Sequence, residues 1–206
     1  MDHIMALFSD TEHFLIRDLQ PSDSLSDLTA LLHAAYGRLA DMGLRYMATH
    51  QSEAVTRERV EQGTCLVAEL NGRLCGTILF RDPAATQGCP WYDRSDVASL
   101  GQFAVDPKLQ SQGLGLQLMR KVEDLAVACG AAELALDTAE PATHLVEWYK
   151  RLGYRFIEHA QWSHTNYRSV IQDDAAASDM TEWHKPRRTC PNGHGVQSRE
   201  PASCRP

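Results

Sequence analysis

The sequence predicts an α/β fold in which antiparallel strands come first and strand–helix units follow, and three observations carry this. Two apolar, β-rich runs, Thr64 to Leu70 and Arg73 to Arg81, are joined by Asn71-Gly72 alone, the pair that accommodates positive φ in a two-residue hairpin turn. From Gly113 to Cys129, the residues Leu114, Leu118, Val122, Leu125 and Cys129 recur at helical spacing, while Gln117, Arg120, Lys121, Glu123 and Asp124 fill the outer face. Strand-like and helix-like segments then alternate from Val97 to Gln172.

In chain order, His13 to Leu19 reads as a short strand, and Pro21-Ser22-Asp23-Ser24 offers capping chemistry for a helix with Leu25, Leu28, Leu32 and Ala35 on its apolar face. After Tyr36 the pattern weakens, and Gly37 to Gln62 reads as two helices with an uncertain break. Asp82 to Asp96 holds prolines, a Gly, Trp91 and Tyr92 without period, a long loop of the kind that covers a site. Val97 to Val105 is a strand, and Glu133 to Asp137 another. Pro141 to Leu152 is a helix with Pro near its first turn, Lys150 and Arg151 in its last and Gly153 as its stop. Tyr154 to His159 and His164 to Gln172 complete the strands.

A length of 206 residues suits one domain, 1–172, and a tail, 173–206, in which aliphatic residues almost vanish. Such a tail buries too little apolar surface to offset its ordering entropy, so it is expected to be disordered. Cys190, His194 and Cys204, with His184 upstream, match no standard zinc spacing, and no metal site is expected. A net charge of -7 is the wrong sign for neutralising phosphates, which argues against a nucleic-acid partner. No run approaches the roughly 18 apolar residues of a membrane helix, and Met1 to Thr11 carries no Lys or Arg that would begin a signal peptide. Cys65, Cys75 and Cys129 sit in regularly patterned apolar segments, as reduced cysteines do, so a cytoplasmic location is expected. The oligomeric state, monomer or homodimer, is left open.

The chemistry concentrates in Val105 to Gly115, a strand end that passes through a short loop into a helix. A helix start offers unpaired N–H groups and the positive end of the macrodipole, so glycines there make an anion cradle. The loop lacks the Lys and Ser/Thr of a nucleoside-triphosphate loop and the glycine spacing of a dinucleotide fingerprint. Taken alone, glycines that merely ease a turn are the simpler reading.

Gln110-x-x-Gly113-x-Gly115 after an apolar strand, followed later by Trp148-Tyr149-Lys150-Arg151-Leu152-Gly153-Tyr154, resembles the GNAT superfamily of N-acetyltransferases. The resemblance runs over Phe14 to Ile171 in element order, and its specific motifs lie in Leu100 to Phe156. It implies a mixed, mostly antiparallel twisted sheet with a central splayed parallel pair and helices on both faces. It further implies acetyl-CoA as cosubstrate, with its pyrophosphate on the main-chain N–H groups of Gln112, Gly113, Leu114 and Gly115. Gln110 would add its amide, and the pantetheine arm would lie along the backbone of Phe103 and Val105.

By the same resemblance Tyr149 protonates the departing thiolate. A phenol suits this task, since it stays protonated at neutral pH beside a sulfur whose conjugate acid has pKa near 8.5. The acceptor is a small-molecule or peptide amine that attacks the thioester directly. One departure stands out: Ser99 occupies the place where many relatives carry a basic Glu. Asp137, His164 and Asp96 are the alternative bases, and a noncatalytic acyl-CoA sensor is the competing reading. Tyr36 to His50, with Arg45, Tyr46 and His50, and the loop around Trp91 and Tyr92 would form the acceptor side.

Overall fold

The computed structural model describes residues 14–175. Seven strands form one sheet in the order β1-β2-β3-β4-β5-β7-β6. They are β1 (Leu15–Asp18), β2 (Thr64–Leu70), β3 (Arg73–Arg81), β4 (Val97–Val105), β5 (Glu133–Ala139), β6 (Arg155–Ala160) and β7 (Ser169–Ala175). All neighbours are antiparallel except β4 and β5. The fold expected from the sequence is therefore the fold observed. Asn71 and Gly72 take φ of 52° and 77°, the left-handed pair that a tight β2–β3 turn demands.

Period-two alternation in β2 sends Leu66 and Ala68 to one face and Val67 to the other. On the first face pack α3 (Leu114–Ala128), through Leu114, Leu118, Met119, Val122 and Ala126, and α4 (Thr143–Arg151). On the second lies α1 (Leu25–Asp41), through Leu28, Leu31 and Leu32, beside α2 (Glu53–Val60). Ser24 caps α1, its hydroxyl accepting from Asp27 N at 3.1 Å, and Ser52 caps α2 from Val55 N at 3.3 Å.

Three boundaries differ from expectation by more than two residues. The first helix runs through Gly37 to Asp41, because Leu39 is buried against Leu44 and Tyr167; burying a leucine contributes about 2 kcal/mol, more than the roughly 1 kcal/mol cost of a mid-helix glycine. The last strand starts at Ser169 rather than His164, because the Thr165 hydroxyl donates to Tyr167 O at 2.9 Å and the Asn166 side chain spans Gly43 O and Arg45 N. That strand also continues past Gln172, so residues 173–175 belong to the sheet: Asp173 is fully buried, pairs with Ala135 and accepts from Arg155 Nε at 2.8 Å. The remaining tail, with its cysteines and histidines, lies outside the described residues.

Glu133, with a side chain 15% exposed, stands beside Asp173. Burial, and next the Asp173 charge, push its carboxyl above the ordinary 4.5 even though Arg155 is 3.1 Å away. An acid whose folded pKa is raised contributes stability that is present below its unfolded pKa and lost as pH rises through the folded one. Glu133→Gln is therefore expected to raise the melting temperature at about pH 7, with the gain shrinking towards about pH 4. Thermal melts of both proteins at the two pH values check this, and a lower melting temperature for the variant at neutral pH would contradict it.

Candidate active site

The sheet opens between β4 and β5. Their pairing covers only Val97, Ala98 and Ser99 against Glu133, Leu134 and Ala135; beyond it β4 stays with β3 while β5 stays with β7. The cause lies in β4, which carries one extra residue between the pairs Leu79 with Gly101 and Thr77 with Ala104. Gln102 sits in that bulge at φ 47°, a conformation costing a non-glycine residue about 1 kcal/mol or more. Its buried amide oxygen accepts from Gln51 Nε2 at 3.0 Å, which holds the bulge in place. The backbone of Gln102 and Phe103 is thereby left without a strand partner on either side.

A cavity of about 600 Å³ lies at this opening. Ser99 to Phe103 come from β4, Asp137 from β5 and Tyr149 from α4. Tyr149 is 7% exposed, with its ring edge-on to Trp148 at 4.9 Å, and Trp148 in turn stacks on Phe103 at 5.8 Å. Burial, then the neighbouring Tyr36, Tyr46 and Asp137, push the Tyr149 phenol well above its ordinary value, so it is a proton donor throughout the neutral range.

Asp137 accepts two hydrogen bonds, from Trp162 Nε1 at 3.0 Å and Ser169 Oγ at 2.9 Å, both at Oδ2. Its Oδ1 accepts none from the described residues, and the carboxylate lines the cavity. His164 lines it too, from an exposed turn. Asp96 does not: it is held by Arg94 at 2.6 Å and 3.0 Å, and its carbonyl fastens Ala132. Ser99 bonds to Thr86 Oγ1 at 3.0 Å, with no carboxylate beside it.

On the acceptor side Tyr36, Tyr46 and Tyr92 reach the cavity, whereas Arg45, His50 and Trp91 do not line it. Trp91 instead stacks under the Arg94 guanidinium, 4.2 Å from its centroid. The Tyr46 hydroxyl accepts from Ala139 N at 2.7 Å, satisfying an N–H on the edge of β5 that β4 has left. Two charged cavity residues escaped the sequence reading. Arg59 and Arg81 both line the wall.

Beyond Phe103, β4 passes through the turn Pro107–Leu109 into α3. Gly113 is the N-cap at φ 85°, and no side chain caps this helix. The first helical bond runs from Gln117 N to Gly113 O at 3.1 Å, so the N–H groups of Leu114, Gly115 and Leu116 have no partner within the helix. A Cβ on Gly115 would stand 3.4 Å from Phe103 Cζ, so this glycine also lets the helix start close on β4. Gln112 and Gly113 are exposed and Leu114 buries its side chain in the core. Gln110 Nε2 donates to Val105 O at 3.4 Å, stitching the loop to the strand.

The family model described as "Acetyltransferase (GNAT) family" matches residues 28–154. The chain belongs to this family. A curated relative of Bacillus subtilis (strain 168), S-(2-succino)cysteine N-acetyltransferase, is 30% identical over 129 residues, 62% of this chain and 76% of that protein. A second from the same organism, S-alkylcysteine N-acetyltransferase, is 27% identical over 64% of this chain and 74% of its own length. Among solved structures, a GNAT family acetyltransferase from Elizabethkingia anophelis with acetyl-CoA bound matches at TM-score 0.56 and 16% identity, over 79% of this chain and 97% of that one. Within the GNAT frame, the splayed strands, the uncapped helix start and the Tyr149 phenol stand on the elements where the motifs suggested them. Among the described residues no helix is long and apolar enough to cross a membrane.

Proposed function

We propose that this GNAT-family chain transfers the acetyl group of acetyl-CoA directly to the primary amine of a small molecule. The observation that carries the reading is the convergence, at one cavity, of the splayed edge of β4, the Tyr149 phenol and the Asp137 carboxylate. The residues fit acetyl-CoA. The uncapped N–H groups around Gln112, Gly113, Leu114 and Gly115 would hold the pyrophosphate, and the main chain of Phe103 and Val105 the pantetheine arm. Bound there, the cosubstrate supplies a thioester carbonyl open to attack and a thiolate leaving group. Tyr149 would donate its proton to the sulfur and Asp137 Oδ1 would take the first proton of the incoming ammonium, while the second, released by the nitrogen once it has bonded to carbon, would return to the Tyr149 phenolate. The unpaired backbone at Gln102 and Phe103 is the source of N–H groups for the carbonyl oxygen.

Direct attack is favoured because no cysteine among the described residues lines the cavity and Ser99 Oγ bonds to the Thr86 hydroxyl. Cys65 is buried elsewhere, its thiol pushed up to about 11 by that burial. Cys65 and Cys89, both buried and outside any disulfide, also support a reducing, cytoplasmic setting. The relatives named for cysteine derivatives favour a small acceptor over a peptide. A panel of S-methylcysteine, spermidine, a peptide α-amine and a peptide lysine, followed by thiol release, tests this. Acetylation of a small amine is expected. Acetylation of peptides only would overturn the acceptor class, and tight acetyl-CoA binding without any product would favour the sensor that Ser99 suggests.

Gly113→Val is expected to weaken acetyl-CoA binding at least tenfold in calorimetric titration. Its side chain would crowd the N–H cradle, and a β-branched residue resists φ 85°. Unchanged affinity in the folded variant would remove the pyrophosphate assignment.

A further inference from the structure

Four arginines among the described residues are half-buried: Arg17, Arg59, Arg81 and Arg94. Two of them meet carboxylates, Arg17 on Asp23 at 2.7 Å and Arg94 on Asp96 at 2.6 Å. The other two share the cavity, and neither makes an ion pair with any described residue. Arg59 Nη1 donates to the amide oxygen of Gln51 at 2.7 Å, and Arg81 Nη2 to that of Gln62 at 3.3 Å. A guanidinium has five N–H donors, so most of this capacity has no anionic acceptor.

Their positions are fixed from several sides. Gln51 is itself buried, donating to Thr56 Oγ1 at 2.7 Å and Gln102 Oε1 at 3.0 Å, so Arg59 is tied through it to the β4 bulge. Arg81 lies over β4 where Gly101 leaves room, since a Cβ there would stand 3.2 Å from Nη1. Burial weakens the protonated form of both, and Arg59 further opposes that of Arg81. Two like charges in one wall, in a chain of net charge -7, are unfavourable until an anion joins them. The one carboxylate that lines the cavity among the described residues, Asp137, hydrogen-bonds Trp162 and Ser169 instead.

We propose that Arg59 and Arg81 form a carboxylate clamp, and that the acceptor is an amino acid derivative whose acid group they hold while its amine is presented to Asp137 and the thioester. This rests on the acetyltransferase reading and narrows its acceptor from amines in general to zwitterions. Planar guanidinium groups match a carboxylate with paired, charge-assisted hydrogen bonds. A site built to pair an anion rejects the analogue that lacks it, because the arginines then stay desolvated and unpaired.

The test compares S-methylcysteine and S-carboxymethylcysteine with methylsulfanyl-ethylamine, which keeps the amine and thioether and lacks the acid. Turnover is measured with acetyl-CoA, and binding by calorimetry with CoA present. For the wild type, kcat/KM is expected to favour an acid-bearing acceptor by about 10² or more, mainly through KM. In Arg59→Gln and in Arg81→Gln this preference should fall at least tenfold while CoA affinity holds. Equal use of acid and decarboxylated amine by the wild type, or a preference that survives in both variants, would overturn the clamp. Arginine-dependent binding of the acids without turnover would uphold the clamp and defeat the transferase reading, while binding of neither acid would overturn the clamp itself.

Discussion

Replacing Tyr149 by Phe is expected to lower kcat for amine acetylation by about 10² to 10⁴, with acetyl-CoA affinity changed far less. The substitution keeps the ring that packs against Trp148 and Tyr154, and it deletes only the hydroxyl proposed as the proton donor to the sulfur. Because burial holds that phenol protonated well past neutrality, the loss should be constant between about pH 6 and pH 9. Tyr149→Ala would confuse the result by opening a cavity costing about 3 kcal/mol or more. Steady-state rates of wild type and the Phe variant across that range check the assignment. Equal kcat, with chemistry shown to limit the rate, would leave Tyr149 a packing residue.

Asp137→Asn is expected to cost about 10² or more in kcat/KM and to change the pH profile in a way packing does not. With the carboxylate present, base and ammonium react together, and the rate is level across the neutral range below the amine's pKa. Without it only the neutral amine reacts, so below the amine's pKa the rate should climb tenfold per pH unit. Asn retains the volume and one acceptor oxygen for Trp162 and Ser169. A variant with a reduced but equally level profile would assign Asp137 to positioning and leave the base elsewhere.

Gly113 and Tyr149 were more legible in the sequence than the acceptor side, for physical reasons. Asn71-Gly72 and Gly113 are legible because positive φ leaves few residue types to choose from. The long α3 is legible because one face is buried along its whole length. Arg59 was hidden. In the short helix Glu53–Val60, Arg57 turns out to meet Glu53 at 3.5 Å, while Arg59 shares the inward face with Thr56 three residues before it. That phase is set by packing against α1, where Thr29 Oγ1 meets Thr56 Oγ1 at 2.7 Å, and the sequence of α2 has no apolar stripe to reveal it. Arg81 closes an apolar strand, where a charged residue is ordinary. Among the three bases suggested, Asp137 and His164 reached the cavity and Asp96 did not, because local ion pairing with Arg94, two residues away, competes for a loop carboxylate.

Direct transfer is tested most plainly by following the acetyl label through one turnover. Protein mixed with a slight deficit of acetyl-labelled acetyl-CoA should release no thiol and carry no label of its own until S-methylcysteine is added. On addition, thiol and N-acetylated product should appear together, one for one, with the protein unlabelled throughout. Labelled protein, or thiol release before the amine arrives, would contradict direct attack in the gap between β4 and β5.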